Sequence, residues 1–507
     1  MQQSRNEMRR LRAPLRPTVD RVLARVVTHA LVGLEARPVE VEAHLQRGVP
    51  AFVIVGLPDK ACQEAKERVR SGIGSAELEW PLRRITVNLA PAGLRKEGSG
   101  FDLPIALAVL AASRQVPPER LAEHAAVGEL ALDGRVRPVP GVLVAAEAAR
   151  RAGLDRLICP MESAAEAALA GVVPVPVRHL VEAGEYLRGR FTPEPVVERP
   201  PLLKRTHPDL RDVRGQERAR RALEVAAAGR HNLLLAGPPG TGKTMLARRL
   251  PGILPSLTRE EALEVTRIHS VAGLLAPGSG IVDEPPFRAP HHTASAPAIV
   301  GGGVGPRPGE ASLAHHGVLL LDELGEFVRP AIESLRQPLE DGAVAVARVT
   351  GRVVFPARFV LVGTMNLCPC GARGDPGVEC GCSPQRLSAY REKVSRALLD
   401  RFDLVVHLPR APAREFEQGR GESSADVRVR VEKAAARLVE RRPRFQPASD
   451  EFLARAVDTL PLSARGRSRV RRVARTVAAL AGDAEVAPVH LAEALSYRTP
   501  TEVAVAA

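Results

Sequence analysis

Eight consecutive residues, Gly237-Pro238-Pro239-Gly240-Thr241-Gly242-Lys243-Thr244, carry the most specific chemistry in this chain. Glycines at this spacing let backbone N–H groups close around phosphate oxygens without Cβ clashes, and a helix N-terminus behind them adds positive potential. Lys243 is then placed to reach the β- and γ-phosphates of a nucleoside triphosphate, and the Thr244 hydroxyl to ligate Mg²⁺. A chance Gly/Pro turn is the bland alternative. The apolar run from Asn232 to Ala236 before the loop and the helix-like segment Met245 to Leu250 after it argue against that alternative, because strand, turn and helix is the order such a loop requires. ATP with Mg²⁺ is therefore the expected cofactor pair.

Two more segments decide what the site does with its nucleotide. Val318-Leu319-Leu320-Leu321 reads as a strand buried on both faces, and Asp322-Glu323 follows at its C-terminal end, where ligands of open α/β sheets bind. Asp322 is expected to hold Mg²⁺, directly or through water, and Glu323 to polarise the attacking water. An acidic pair alone is weak evidence; with the loop upstream it favours hydrolysis over passive binding. A third apolar strand, Phe359 to Thr364, ends at Met365-Asn366. If it lies between the other two, Asn366 reaches the γ-phosphate and the lytic water, which resembles the sensor 1 position of AAA+ ATPases. Leu399-Asp400-Arg401-Phe402-Asp403-Leu404 resembles the segment that carries that superfamily's arginine finger. An ion pair of Arg401 with Asp400 or Asp403 is the alternative. A finger from a neighbouring subunit stabilises transition-state charge by about 10³ to 10⁵ in rate in NTPases, and implies a homo-oligomer.

At this point the residues resemble one family over nearly the whole chain, the Mg-chelatase-like AAA+ ATPases called ComM or YifB. The resemblance includes Asp212-Val213-Arg214-Gly215-Gln216, Ala226 to Asn232, Pro286 to Thr293, Gly309 to His315, Asn366-Leu367-Cys368-Pro369-Cys370-Gly371, and Leu462 to Arg469 followed by Val473 to Thr476. It implies an α/β fold: an AAA+ P-loop core of parallel sheet flanked by helices, an N-terminal α+β Lon-protease-like (S5-like) domain, and a C-terminal helical lid. It also implies that Val213 and Gly215 contribute to the nucleotide site, and that Arg465 resembles sensor 2, a lid arginine that contacts the γ-phosphate, with Arg469 as runner-up.

Composition bounds the rest. At 507 residues the chain has room for about three domains. Apolar runs are too short for a membrane span and the N-terminus has no signal-peptide core, so a cytoplasmic protein without a membrane partner is expected. A net charge of +14 points to an anionic partner, with nucleic acid foremost. Only seven of the basic residues are lysine, a pattern of high-GC coding that weakens the argument from charge, and 3% aromatic content speaks against base-stacking platforms.

Residues 1–22 are basic and aperiodic, a disordered extension or a misassigned start. Residues 23–190 form the first domain, with strands at Val39 to Ala43 and Ile85 to Leu89 and helices at Asp59 to Ser71 and Pro104 to Ala112. Gly128 to Val136 with Pro140-Gly141 carries the Lon resemblance. Against the Lon dyad, Gly100 stands where the nucleophilic Ser belongs and Leu143 where the Lys belongs; Ser99 alone has no activating base. The domain reads as a non-proteolytic scaffold or DNA guide. A Pro-rich linker, 191–208, leads to the ATPase domain, 209–411. Within it, 273–310 reads as a long Gly/Pro-rich insert. The resemblance aims that insert at a ring pore, making Arg288, Arg307 and the paired histidines candidates for DNA contact, with bracing of the insert as the equal alternative.

Cys368, Cys370, Cys380 and Cys382 cluster in the loop 368–382, and their number fits a structural tetrahedral Zn²⁺, although the one-residue spacing is tighter than usual. Residues 425–507 read as helical, with Val431, Ala434, Ala435 and Leu438, then Val470, Val473, Ala474, Val477 and Leu480, at helical spacing. The family resemblance implies a hexameric DNA motor, a branch-migration helicase of natural transformation. A chelatase-type remodeller of a protein partner is the second reading, disfavoured because the resemblance gives chelatase subunits no Lon-like domain. An ATP-dependent protease is the third, disfavoured by the missing dyad.

Overall fold

Val39, Val41 and Ala43 are fully buried while Glu40 is exposed, the period-2 pattern of a half-buried strand. This segment belongs to β2 (Glu35–Gln46) in a computed structural model that describes residues 22–196, 207–303, 306–348, 351–411, 421–459 and 462–498. The N-terminal stretch 1–21 and the centre of the Pro-rich segment, 197–206, lie outside the described residues. The chain divides into two compact units that part near Glu198.

In the first unit seven strands form one mixed sheet. They are β1 (Val22–Val32), β2, β3 (Ala51–Val55), β4 (Arg84–Ala90), β5 (His124–Ala126), β6 (Arg156–Pro160) and β7 (Val173–Val177), in the order β3-β4-β2-β1-β5-β6-β7. β2 and β4 run antiparallel, whereas β1, β5, β6 and β7 are parallel neighbours, which requires helical crossovers. Helix α1 (Lys60–Ser75) starts where Asp59 accepts the Cys62 N–H at 2.8 Å, and buries Cys62, Ala65, Val69 and Ile73 along one stripe. Helix α2 (Asp102–Ala112) is apolar all round and wholly buried. Its one charge, Asp102, is neutralised by Arg68 of α1 through bonds of 2.6 and 3.1 Å, while burial pushes its carboxyl up to about 6. Helix α3 (Val142–Arg151) covers β2. This unit combines an antiparallel pair with a parallel run of strands and covering helices.

The second unit is built on five strands: β8 (Leu233–Ala236), β9 (Phe287–Arg288), β10 (Val318–Leu321), β11 (Val360–Met365) and β12 (Leu404–His407). All are parallel, in the order β9-β10-β11-β8-β12. Every residue of β8, β10 and β11 is buried, as near-continuous apolar runs require, and the one polar side chain among them is Thr364 at the end of β11. Alternate residues serve opposite cores. Leu233 and Leu235 pack with helix α4 (Glu217–Gly229) and the C-terminal helices; Leu234 and Ala236 pack with Leu321, Phe327, Leu361 and Phe402.

Helix α5 (Lys243–Ala247) is shorter than the expected run to Leu250, because Pro251 interrupts it with a 3₁₀ turn at Leu250–Ile253. Helix α6 (Arg259–Ala272) ends on Gly273, whose φ of 70° no branched residue adopts without strain. The segment 273–310 is less of a loop than expected. Phe287 and Arg288 pair in parallel with Val318 and Leu319 as an edge strand, a helix spans Ala296–Val300, and Gly301–Gly302 pairs with Arg307–Pro308. Two-residue strands carry no periodicity, so nothing in the residue pattern marks them. Helices α7 (Ser424–Glu440), α8 (Pro447–Thr459), α9 (Ala464–Ala481) and α10 (Pro488–Ser496) complete the unit, with Val431, Ala434, Val470, Val473, Ala474 and Val477 buried as their spacing predicts.

Candidate active site

Gly237 leaves β8 so close to β12 that a Cβ there would stand 2.3 Å from the Leu408 carbonyl oxygen. Gly240 and Gly242 have φ of 77° and 86°, so the loop turns twice through the left-handed region before α5 begins. The Thr241 hydroxyl donates to Pro238 O at 3.0 Å, and Lys243 Nζ donates to the carbonyls of Gly237 and Pro238 at 2.8 and 2.7 Å. Burial lowers the Lys243 pKa, against the opposing pull of Asp322 and Glu323. The lysine is thus the cation of an acidic cluster, curled along the loop that would hold phosphate.

The register of the sheet brings the acidic pair to this loop. Ala236 faces Met365 and Leu321 faces Gly363, so β8, β10 and β11 end on one edge. There the Thr244 hydroxyl donates to Asp322 Oδ1 at 2.7 Å, and the Thr364 hydroxyl donates to the same oxygen at 2.6 Å. Thr364 Oγ1 in turn accepts the Glu323 N–H at 2.9 Å. Two hydroxyls and a carboxylate within one hydrogen-bond radius are the hard oxygen donors that Mg²⁺ takes. Glu323 is exposed and has φ 55°, a left-handed conformation that costs a non-glycine residue about 1–2 kcal/mol. Such strain persists where surrounding contacts impose it, here the Thr364 bond and the turn closed by Glu326 N–H to Glu323 O at 2.7 Å. Thr364 was not among the expected site residues; its place one residue after Gly363, at a buried strand end, was the available signal.

Asn366 stands on the same edge, held to the loop by the Gly237 N–H that Met365 O accepts at 3.2 Å. β11 does lie between β8 and β10, the arrangement on which the Asn366 assignment depended. The four cysteines follow directly. Their sulfurs all lie within 4.8 Å of one another, with 3.4 Å between Cys368 and Cys370 and 3.6 Å between Cys370 and Cys380. Cys62 and Cys159 are separate buried thiols.

Arg401 and Arg465 are elsewhere. Arg401 precedes β12 at the N-terminal edge of the sheet, across a strand of four residues that spans about 13 Å. It is 5% exposed, donates to Ala397 O and Glu340 Oε1, and its Nε is buried without a partner among the described residues. Neither Asp400 nor Asp403 is its ion-pair partner. Asp403 instead accepts the Asn232 N–H at 3.0 Å and Arg472 at 2.5 Å and faces His231, contacts that hold its carboxyl far below the usual range despite burial. Arg465, 70% exposed, lies 3.7 Å from Glu340 Oε1, at Arg401's edge. The structure therefore does not bring Arg465 to this chain's own Lys243. A cleft of about 260 Å³ opens at that edge, with Arg230, Arg358, Arg401, Arg469 and Arg472 in its wall.

The other expected residues divide between bracing and exposure. Val213 is fully buried in the core shared with Leu246, and Gly215 turns with φ 62° beside it. Arg288 forms a two-pronged bond to Glu310 at 2.6 and 2.7 Å, so it braces the insert; Arg307 and His291 are exposed. His315 and His316 share Glu264 Oε2 at 2.9 and 3.0 Å. His315 Nδ1 accepts the Arg358 N–H at 2.9 Å, which places its proton on Nε2 and makes that nitrogen a donor to Glu264, not a metal ligand. In the first unit Ser99 donates to Glu129, Gly100 lies near Val127, and Leu143 is fully buried, so no lysine or histidine activates Ser99 among the described contacts.

Residues 209–416 match the family profile described as magnesium chelatase, subunit ChlI; residues 41–163 match one described as subunit ChlI of Mg-chelatase; and residues 413–498 match that subunit's C-terminal profile. The chain is 43% identical over 501 residues to competence protein ComM of Haemophilus influenzae, covering 94% of this chain and 97% of that one. It is 41% identical over 493 residues to YifB of Escherichia coli, with 94% and 97% covered. A more distant likeness, 27% over 263 residues, covers 49% of this chain and 58% of the Holliday junction branch migration complex subunit RuvB of Mycobacterium avium.

Proposed function

The chain belongs to the ComM/YifB family of Mg-chelatase-like AAA+ ATPases, and from that premise we propose that it is an ATP-hydrolysing ring motor on DNA, a branch-migration helicase that helps incoming DNA integrate in natural transformation or recombination. The observation that carries the ATPase half is the convergence of Thr244 and Thr364 on Asp322 Oδ1, one residue from Glu323. Mg²⁺ bound there neutralises charge between the β- and γ-phosphates. The backbone N–H groups from Gly240 to Thr244 and the Lys243 ammonium hold the phosphates, and Glu323, fixed by its strained turn, takes up the proton of the attacking water. Asn366 orients that water from the adjacent strand end. Arg401 is too far from its own loop to serve it; in this reading its guanidinium exchanges its bonds to Glu340 and Ala397 O for a neighbouring subunit's γ-phosphate on assembly, and Arg465 and Arg469 share that edge. The site is then complete only in an oligomer, which we take to be a hexamer.

The DNA half rests on names and charge. A relative alignable over nearly the full length is named a competence protein, a distant one a branch migration subunit, and this chain carries +14. In this reading the first unit is a Lon-like, non-proteolytic scaffold or DNA guide, α7 to α10 are the lid, the four cysteines hold a structural Zn²⁺, and the protein works in the cytoplasm; no helix among the described residues is long and apolar enough to cross a membrane. A chelatase-type remodeller of a protein partner stays as the second reading, because residues 41–163 match a profile described as ChlI, so the N-terminal unit does not separate this chain from chelatase subunits.

Strand displacement on synthetic four-way junctions, with and without ATP, tests the motor. ATP-dependent branch migration with DNA-stimulated phosphate release supports it. ATP hydrolysis that no DNA stimulates, with junctions left intact, would overturn the DNA half and leave the remodeller.

A further inference from the structure

Residues 368–382 have almost nothing of their own to fold around. Val378 is the one large aliphatic residue among them, and it is 52% exposed. The segment's internal bonds are single turns: Gly371 N–H to Cys368 O at 3.1 Å, Asp375 N–H to Ala372 O at 3.1 Å, and Val378 N–H to Asp375 O at 3.2 Å. A segment without a core needs a staple. Four sulfurs converge in it, and a tetrahedral ion at about 2.3 Å from each thiolate places them roughly 3.8 Å apart. The separations of 3.4 and 3.6 Å, with all four atoms inside 4.8 Å, match that arrangement and exceed an S–S bond.

The segment also touches the nucleotide site at both ends. Cys368 is fully buried two residues after Asn366. Gly371, at φ 82°, lies so near the phosphate loop that a Cβ on it would stand 2.7 Å from Pro239 Cγ. After Cys382, the helix Pro384–Glu392 returns Tyr390, whose hydroxyl donates to Asn366 O at 3.3 Å and whose ring covers Gly325, two residues beyond Glu323. Resting on the ATPase and Zn²⁺ assignments above, we propose that the four thiolates bind one Zn²⁺ and that this ion positions Pro239 and Asn366, so that ATP turnover depends on a metal that never touches the nucleotide. The cysteines are positioning residues: four thiolates leave zinc no open coordination site for substrate.

The test follows metal and nucleotide separately on the full chain. Elemental analysis of the purified protein should find one zinc per chain. Titration with an organomercurial, read with a chromogenic zinc indicator, should release it while phosphate release falls at least tenfold and a fluorescent ATP analogue still binds. Gly371→Ala keeps all four thiols while its methyl meets Pro239 and strains the turn at φ 82°, so it perturbs the loop's seat without removing a ligand; it should retain zinc and lose turnover by about the same factor. Zinc released with turnover unchanged, or a fully active Gly371→Ala, overturns the coupling and leaves the zinc assignment standing. Iron, two disulfides or no metal in an active protein overturns the zinc assignment and the coupling with it. A zinc-loaded protein that hydrolyses no ATP overturns the ATPase reading.

Discussion

Thr364, at the end of β11, donates its hydroxyl across 2.6 Å to Asp322 Oδ1, at the end of β10. Because the same hydroxyl oxygen accepts the Glu323 N–H, one side chain sets both the carboxylate expected to hold Mg²⁺ and the backbone turn that presents the expected base. Thr364→Val keeps the branched shape in a site 1% exposed and removes both bonds, worth about 1 kcal/mol each. Turnover should fall roughly 10- to 100-fold, with the Mg²⁺ concentration for half-maximal rate shifted upward. An unchanged Mg²⁺ profile in steady-state phosphate release would make Thr364 a packing residue only.

Glu323→Gln preserves size and the left-handed turn while removing the proton acceptor. ATP should bind as before and turnover should drop by roughly 10²-fold or more, the scale of a lost general base. Equilibrium binding of a fluorescent ATP analogue beside phosphate release separates the two effects; full turnover would assign the base elsewhere.

Arg401 and Lys243 occupy opposite edges of one sheet, so their loss should complement across subunits. Arg401→Ala and Lys243→Ala should each be inactive alone. Mixing the two should restore phosphate release, since some interfaces then pair an intact loop with an intact finger. Mixtures that co-assemble, by mass photometry, yet stay inactive would place Arg401 outside the reaction.

Burial pushes His315 down to about 4, so the folded protein holds it neutral at pH values where the unfolded chain, near 6.5, already takes the proton. Stability is therefore full above pH 6.5 and declines as pH falls toward 4. At pH 5 this amounts to about 2 kcal/mol. His315→Asn should flatten the acid-side slope of urea unfolding between pH 6.5 and 5, whatever its effect at neutral pH; an unchanged slope would mean that other groups carry it.

What the sequence determined by itself is local. The glycines and Lys243-Thr244, the apolar runs ending at Asp322 and at Asn366, the buried stripe of α9 and the cysteine pairs are each written within a dozen residues, because loop conformation and strand burial follow from neighbouring side chains. Tertiary structure alone decided what depends on strand order. Parallel pairing of β8, β10 and β11 put Thr244, Thr364 and Asp322 on one oxygen, and it put Arg401 and Arg465 on the far edge beside Glu340. It also turned part of the expected insert loop into edge strand β9 and bound Arg288 to Glu310. Contacts between residues scores of positions apart leave no periodicity to read, since they are fixed by which edges and faces of the sheet the chain comes back to.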